Sequence, residues 1–405
     1  MLNLNANEFT LTNHIFEILE KKAISYGYEA VFTETFGKYN DKMDSDAVKI
    51  MAPSGDLLSL KSDPTPHATK QIAPLCDGYL KTYYKSSLVK LDPKAPIGIK
   101  ETLQGGFEYY GNSNIESDAE IILLNCSVLS TLGVQNIHLD IGHIKFTEAL
   151  LKSLNFSEDA LIDVENALKK RSLKSNIDLN PHQRSTLETL LSLSGSPVEV
   201  IKNARSLATT PDLIDSLDQI ENIILRIQDL DIDQITSNKI SVDLCLTHPK
   251  SYYTGPLFKI YSVDTGKTVA QGGRYDNLSK QFGYSFAACG GAIDIKNTIE
   301  VIKMKNTMTI DRTNFVLVYD EASFKPALDL TNWLRAKGFS VKFNTRPTDY
   351  STALQSDYFK SVNQILDFND GFIKVIDQMK NETYRISLEA FKTRLTSNPG
   401  SISIH

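Results

Sequence analysis

ETLQGGFEYYG, residues 101–111, is the stretch on which the fold turns. Apolar and polar residues alternate along it, and a period of two is the period of a strand. Glu101, Leu103, Gly105, Phe107 and Tyr109 fall on one face. Thr102, Gln104, Gly106, Glu108 and Tyr110 share the other. A glutamine and a glutamate therefore flank a glycine on one surface. With no side chain at Gly106, a ligand can lie against the backbone there. A solvated sheet face carrying a bulge fits the same pattern.

The strand reading extends upstream. TYYKSSLVKL, residues 82–91, is a second strand-like run. VKIMAPSGDLLSLK, residues 48–61, reads as a hairpin turning at Pro53–Asp56. YEAVFTE at 28–34 reads as a strand, and Ile15, Phe16, Leu19 and Ala23 predict a helix over 10–26, stopped by Gly27. Downstream, Ser117-Asp118-Ala119-Glu120 has capping-box spacing before a helix that Gly133 closes. NIHLDIG is a short strand.

From about 145 to 236 strand signals vanish and apolar residues recur at helical spacing, as in NIILRIQDL. Strands then return as KISVDLCLT, PLFKIYSV, TVAQGG and AACGGAIDI, with a turn at Asp264-Thr265-Gly266. A polar linker is expected near 304–314. FVLVY, a helix over ASFKPALDLTNWLRAKG, and FSVKFNT then open a small α/β unit. The helices are grouped rather than alternating with strands, so the class is α+β, with an antiparallel sheet and flanking helices. The expected domains are a core over 1–144 and 237–303, an all-helical insert over 145–236, and a C-terminal α/β domain over 314–405.

Composition narrows the function. The 405 residues suffice for two or three domains. A net charge of −6 argues against a nucleic-acid binder, which draws its affinity from a basic stripe. The four cysteines form no C-x-x-C pair and have no zinc-spaced partner, so no metal is expected. The first residues carry no basic n-region and no long apolar run. A cytoplasmic location with no membrane segment is the expectation.

SYYTGP, residues 251–256, follows Thr247-His248-Pro249-Lys250. Rigid rings with polar tips beside a glycine suit a small-molecule site. In KSDPTPH, residues 61–67, Asp63 and Thr65 can hold an ammonium group or cap the next helix; capping is the commoner role. In QGGRYDNL, residues 271–278, Arg274 and Asp276 suit an ion pair bracing a turn. His248 could be a base or an ordinary loop histidine. No phosphate loop, nucleophile elbow or H-E-x-x-H is present.

Taken in order, these segments resemble the histidyl-tRNA synthetases, a class II synthetase family. LLSLKSDPT is similar to L-x-L-R-P-E-x-T, and ETLQGGFEYYG followed by SDAEII to R-E-F-x-Q-x-G-x-E-x-x-G followed by A-D-A-E-x-I. THPKSYYTGPLF resembles V-R-G-L-D-Y-Y-T-G-x-x-F, and GGRYDNL is nearly identical to its counterpart. The resemblance implies a class II synthetase-like core with an anticodon-binding-like C-terminal domain. It implies a histidine pocket in which Asp63, Thr65 and Gln104 meet the α-ammonium, Glu108 and Tyr253 meet the imidazole, and His248 stands at the carboxylate end. Arg274, Tyr275 and Asp276 would stand near that site as structural residues.

The departures carry equal weight. Where the family keeps arginines on ATP and on the reacting carboxylate, this chain has Lys61, Lys90, His248 and Asn297. Adenylation builds charge on phosphorus, and fixed cations stabilise it. Lysine lacks the bidentate fork and asparagine lacks the charge. That combination resembles the regulatory subunits of ATP phosphoribosyltransferase, a synthetase paralogue family whose G-F-S-L-D-L is matched by GGAIDI at 290–295. The resemblance implies no catalytic residue and no cofactor. It implies a partner, the short-form catalytic subunit, with histidine as feedback effector and a homodimer within a hetero-oligomer. A divergent histidyl-tRNA synthetase and a stand-alone histidine or tRNA sensor are the rivals.

Overall fold

A computed structural model describes residues 6–40, 46–174, 177–229, 239–247, 250–305, 315–360, 362–369, 372–378 and 380–397. The expected linker therefore lies, from 306 to 314, outside the described residues. The chain divides into two compact units, with the boundary after residue 308.

The first unit opens with helix α1 (Ala6–Ser25), which ends at Gly27, a glycine at φ +78°. Strands β1 (Glu29–Ala30), β2 (Phe36–Lys38), β3 (Lys49–Met51) and β4 (Leu57–Leu60) follow. Strands β2, β4 and β3 form a small antiparallel sheet, with Ile50 opposite Leu58 across the hairpin. Helix α2 (Pro64–Ile72) leads into the long pair β5 (Leu80–Leu91) and β6 (Ile99–Tyr110). Then come α3 (Ile115–Thr131), β7 (Ile137–His143), α4 (Ile144–Ser153), α5 (Glu158–Lys170), α6 (Pro181–Ser192), β8 (Ser194–Gly195), α7 (Pro197–Ala204) and α8 (Pro211–Asp229). Strands β9 (Ile240–Asp243), β10 (Pro256–Ser262), β11 (Thr268–Arg274) and β12 (Ala288–Asp294) precede α9 (Ile295–Lys305).

The main sheet has the order β1-β5-β6-β12-β11-β10-β7-β9-β8. Its body is antiparallel, as the alternating pattern demands. Two pairs depart from that expectation: β1 runs parallel to β5, and β7 runs parallel to β9. A long crossover joins the members of each pair, with the small sheet and α2 between β1 and β5 and the helices α4–α8 between β7 and β9, and such a crossover is what parallel pairing needs. Strand β1 keeps only two residues of the run read from YEAVFTE. The stretch expected to be wholly helical contains β8, a two-residue strand that pairs with the end of β9.

Strand β6 pairs in continuous register with β5 on one side and β12 on the other, so no bulge interrupts it. One face packs on α1, where a Cβ on Gly105 would stand 2.4 Å from Leu19. Helix α3 buries Ile121, Ile122, Leu124, Val128 and Leu129 in the core. Helix α8 presents Leu213, Leu217, Ile220, Ile224 and Ile227 inward at helical spacing. Burial of each such side chain stabilises by about 1.5–3 kcal/mol.

Helix α3 starts two residues before the capping box expected at Ser117. Asn114 is its N-cap, and Ser117 lies in the first turn with its hydroxyl on the Asn114 carbonyl at 2.6 Å. The Ser117 oxygen, which a capping serine would offer to the helix N–H groups, accepts from Arg274 at 2.8 Å instead. A long-range contact thus overrode the local pattern.

The second unit comprises β13 (Phe315–Tyr319), α10 (Phe324–Ala336), β14 (Val341–Thr345), α11 (Tyr350–Ala353), α12 (Asp357–Lys360), β15 (Gln364–Asn369), β16 (Phe372–Asp377), β17 (Glu382–Ser387) and α13 (Leu388–Ser397). Its sheet order is β14-β13-β15-β16-β17, parallel in the first three strands and antiparallel in the last. Leu330, Leu334, Phe391 and Leu395 cover one sheet face, and Phe359 and Val362 the other.

Candidate functional site

Glu108 is the centre of the polar face of β6. It is 1% exposed, pairing in register with Thr82 and Gly290 on the neighbouring strands. Thr65 donates its hydroxyl to Oε1 at 2.7 Å, and Tyr275 donates to Oε2. Burial pushes the Glu108 carboxyl up to about 8; these two hydrogen bonds hold it down only in part, and the charge of Asp63 pushes it further up. Near neutral pH the group carries a proton in the unliganded chain.

Gly290 makes room for that carboxylate. A Cβ there would fall 1.7 Å from Glu108 Oε2 and 2.8 Å from the Phe107 carbonyl oxygen. Gly290→Ala is expected to cost about 1–3 kcal/mol by overpacking and to displace the carboxylate. Denaturant unfolding measures the first effect and ligand titration the second; wild-type values in both would refute it.

Asp63 caps α2, accepting the Thr65 backbone N–H at 3.1 Å. Its other oxygen accepts the Tyr252 hydroxyl at 2.7 Å. Tyr252 sits 4.9 Å from Tyr253 and 5.7 Å from Tyr275, centroid to centroid, so three rings wall the cluster. Tyr84 closes its floor. It stands opposite Gly106, and a Cβ on Gly106 would meet its hydroxyl at 2.4 Å. The aperture left by Gly106 is therefore filled by Tyr84 here. Burial, then Glu108 and Asp63, push the Tyr84 phenol well above its ordinary value.

Gln104 lies on the same face, half-buried, opposite Ser86 and Asp294. Asp63, Thr65, Glu108, Tyr253 and Tyr275 thus converge, with Gln104 along the strand from them. His248 falls outside the described residues.

The positions expected to have lost arginines are occupied in specific ways. Lys61 is buried and donates to the Thr33 carbonyl at 3.0 Å and hydroxyl at 2.8 Å. Burial lowers its pKa. Asn297 donates its side-chain amide to the Thr268 carbonyl at 2.8 Å, and its backbone N–H goes to Asp294 at 2.8 Å. Its side chain braces the start of α9 against β11. Lys90 pairs with Lys100 across β5 and β6 and bridges Ala47.

Arg274 is 5% exposed and its chief partner is Asp118, not the Asp276 expected from the sequence. Asp276 stands 3.3 Å away and also accepts the Ala288 N–H at 3.0 Å. Tyr275, expected to be structural, reaches the central carboxylate itself. Tyr84, Lys250 and Asp46 are site neighbours that sequence reasoning missed, whereas Tyr252 belongs to the SYYTGP stretch singled out above. For Tyr84 a signal existed: a tyrosine across the strand pair from a glycine. Among the described residues no three His, Cys, Asp or Glu side chains gather as a metal ion requires, and no helix is long and apolar enough to cross a membrane.

The antiparallel sheet with its flanking helices is the class II aminoacyl-tRNA synthetase-like fold, as the family model and the solved structures below show. The sequence profile of histidyl-tRNA synthetase matches residues 3–298, and the chain belongs to that family. Among curated relatives, the ATP phosphoribosyltransferase regulatory subunit of Clostridium botulinum (strain 657 / Type Ba4) is 29% identical over 302 residues, covering 72% of this chain and 70% of the relative. The protein of the same name from a Thermoanaerobacter species is 25% identical over 378 residues, 90% of this chain and 96% of the relative. The fold is shared with an ATP phosphoribosyltransferase regulatory subunit/histidyl-tRNA synthetase from Bacillus halodurans, with a TM-score of 0.77 at 22% identity over 91% of this chain and 96% of that one. It is also shared with the histidyl-tRNA synthetase of a Nostoc species, with a TM-score of 0.76 at 14% identity over 97% and 98%.

Proposed function

We propose that the chain is a non-catalytic regulatory subunit of ATP phosphoribosyltransferase. It activates the short catalytic subunit in the first step of histidine biosynthesis and transmits feedback inhibition by histidine. The relatives named above support the assignment to the regulatory subunits. Histidine as effector, a cytoplasmic location and a homodimer within a hetero-oligomer are parts of the proposal.

The observation that carries the non-catalytic reading is a contrast between two sets of side chains. The acid cluster of Glu108, Thr65, Tyr275 and Asp63 is assembled and hydrogen-bonded. Beside it, Lys61 and Asn297 are turned onto backbone carbonyls of the fold. Glu108 offers an acceptor, or a proton when neutral, to an imidazole nitrogen. Asp63 offers a carboxylate to an ammonium group, and Thr65, Gln104 and Tyr253 complete the pocket. Asn297 carries no charge and its amide is given to the Thr268 carbonyl, and loss of one charge-stabilising group costs about 10²–10³ in rate.

Histidine binding would favour a low-activity arrangement of the complex, a coupling typically worth about 1–3 kcal/mol and necessarily reciprocal. Purified chain added to the short catalytic subunit is expected to raise its turnover, and histidine to lower it again. The chain alone is expected to give no histidine-dependent ATP–pyrophosphate exchange. Unchanged turnover on both additions would remove the regulatory reading, and measurable exchange would favour the divergent synthetase.

A further inference from the structure

We propose that Lys250 is the counter-ion for the ligand's carboxylate, and that Asp46 is an internal anion which holds Lys250 until a ligand takes its place. The inference rests on the histidine reading of the site and assigns its carboxylate end.

The argument starts from charge. Asp63 and Glu108 are both acids, and Thr65, Gln104 and Tyr253 are neutral. An amino acid is a zwitterion, and none of these five supplies a cation for its carboxylate; His248, expected at that end, lies outside the described residues. Two nearby cations are committed elsewhere: Lys61 to Thr33 and Arg274 to Asp118. Lys250 stands differently. It belongs to the same turn as Tyr252 and Tyr253, and only 8% of it is exposed. Its ammonium donates to Asp46 Oδ1 at 2.6 Å and to Ser62 Oγ at 3.3 Å.

Two rungs tie this turn to the loop before α2. Lys250 reaches Ser62, and Tyr252 reaches Asp63. The ammonium of Lys250 is therefore one rung away from the carboxylate assigned to the ligand's own ammonium. Ser62 and Asp63 are neighbours in the chain, so the two rungs bring the lysine to the same loop as the acid.

Asp46 occupies the place a ligand carboxylate would need. Its Oδ1 takes both the Lys250 ammonium and the Ser62 hydroxyl, the latter at 2.8 Å. Burial raises the Asp46 pKa, but Lys250 and Ser62 hold it below the usual carboxylate range, so Asp46 is an anion at neutral pH. The burial is asymmetric: the lysine side chain is 7% exposed and that of Asp46 34%. The cation lies inside and its partner on the solvent side. An incoming carboxylate can exchange with Asp46 without moving the lysine. The Asp46 backbone is pinned meanwhile, its carbonyl accepting the Leu91 N–H at 2.8 Å, so a side-chain rotation is enough.

The test compares L-histidine with histamine, which keeps the imidazole and amine and lacks the carboxylate. Both are titrated calorimetrically into full-length wild type, Lys250→Met, Asp46→Asn and Glu108→Gln, with thermal melts to establish folding. Lys250→Met is expected to weaken histidine about 10- to 100-fold and leave histamine within about twofold. Asp46→Asn is expected to tighten histidine about fivefold or more, again sparing histamine. Equal effects on the two ligands, or wild-type histidine affinity in folded Lys250→Met, overturn the inference. If histidine binding is lost in Glu108→Gln yet indifferent to Lys250→Met, only the assignment of Lys250 falls. If wild type binds neither ligand, the histidine reading falls and this inference with it.

Discussion

Glu108→Gln is expected to abolish the histidine response and, in the same molecule, to make the unliganded chain more stable at alkaline pH. The two effects have one origin. The carboxyl is buried among tyrosines and held by Thr65 and Tyr275, and burial raises its pKa to about 8. An unfolded chain releases that proton near 4.5, the ordinary value for glutamate. Between those two values the folded state binds the proton and the unfolded state does not. Glu108 therefore contributes stability that is fully present below about pH 4.5 and is lost as pH rises through about 8, at roughly 1.4 kcal/mol per pH unit within the window. Glutamine does not titrate, so the variant escapes this loss. Denaturant unfolding at pH 6 and pH 9 should show its stability relative to wild type rising with pH and levelling off beyond the window.

The ligand pays the opposite way. Glutamine offers an imidazole an amide in place of a group able both to accept and to give up a proton. A site built to hydrogen-bond rejects the mismatched partner strongly, because buried polar groups are then left unpaired. Histidine affinity is expected to fall by at least about 10²-fold. Retained affinity would remove Glu108 from the site whatever the stability profile did.

How much of this was legible in the sequence depends on the range of each interaction. Alternation in 101–111 gave a strand with Gln104, Gly106 and Glu108 on one face, and strand β6 carries them so. The hairpin at 48–61 and the grouping of helices were likewise local patterns. What the pattern could not supply was register. The facts that Glu108 faces Gly290, and Gly106 faces Tyr84, depend on how strands far apart in the chain align. The open backbone imagined at Gly106 is filled for that reason. Partner choice was illegible for the same cause: Arg274 and Asp276 are two residues apart, yet the guanidinium turns chiefly to Asp118, 156 residues away in sequence. Both flanking strands were read as strands, but their parallel pairing was hidden, because strand direction depends on partners far away in the chain.

Removing Arg274 is expected to be the most destabilising single change in the first unit. Its guanidinium joins β11 to the start of α3 through every nitrogen. Nε donates to Asp118 at 3.1 Å; Nη1 donates to the Asn112 carbonyl at 3.0 Å and to Asp276; Nη2 donates to Ser117 at 2.8 Å and to the Asn114 carbonyl at 3.2 Å. Those carbonyls lie in the loop that turns β6 into α3, so the arginine fixes the exit of the strand that carries Glu108. Asp118 is only 5% exposed, and burial pushes its carboxyl up to about 6 even though Arg274 pulls it down. Arg274→Ala would leave that acid buried and unpaired, at a cost of about 3–5 kcal/mol. Lysine should rescue little, because a point charge cannot reproduce five directed donors. Adding Asp118→Asn to Arg274→Ala should recover part of the loss, since a neutral amide tolerates burial better than an orphaned carboxylate. A second readout separates this positioning role from simple loss of fold. Tyr275, next in the chain, donates to Glu108, so folded Arg274→Lys should bind histidine more weakly as well as melt earlier. Wild-type stability in Arg274→Ala, or additive behaviour in the double variant, would show that the pair does not hold this corner together.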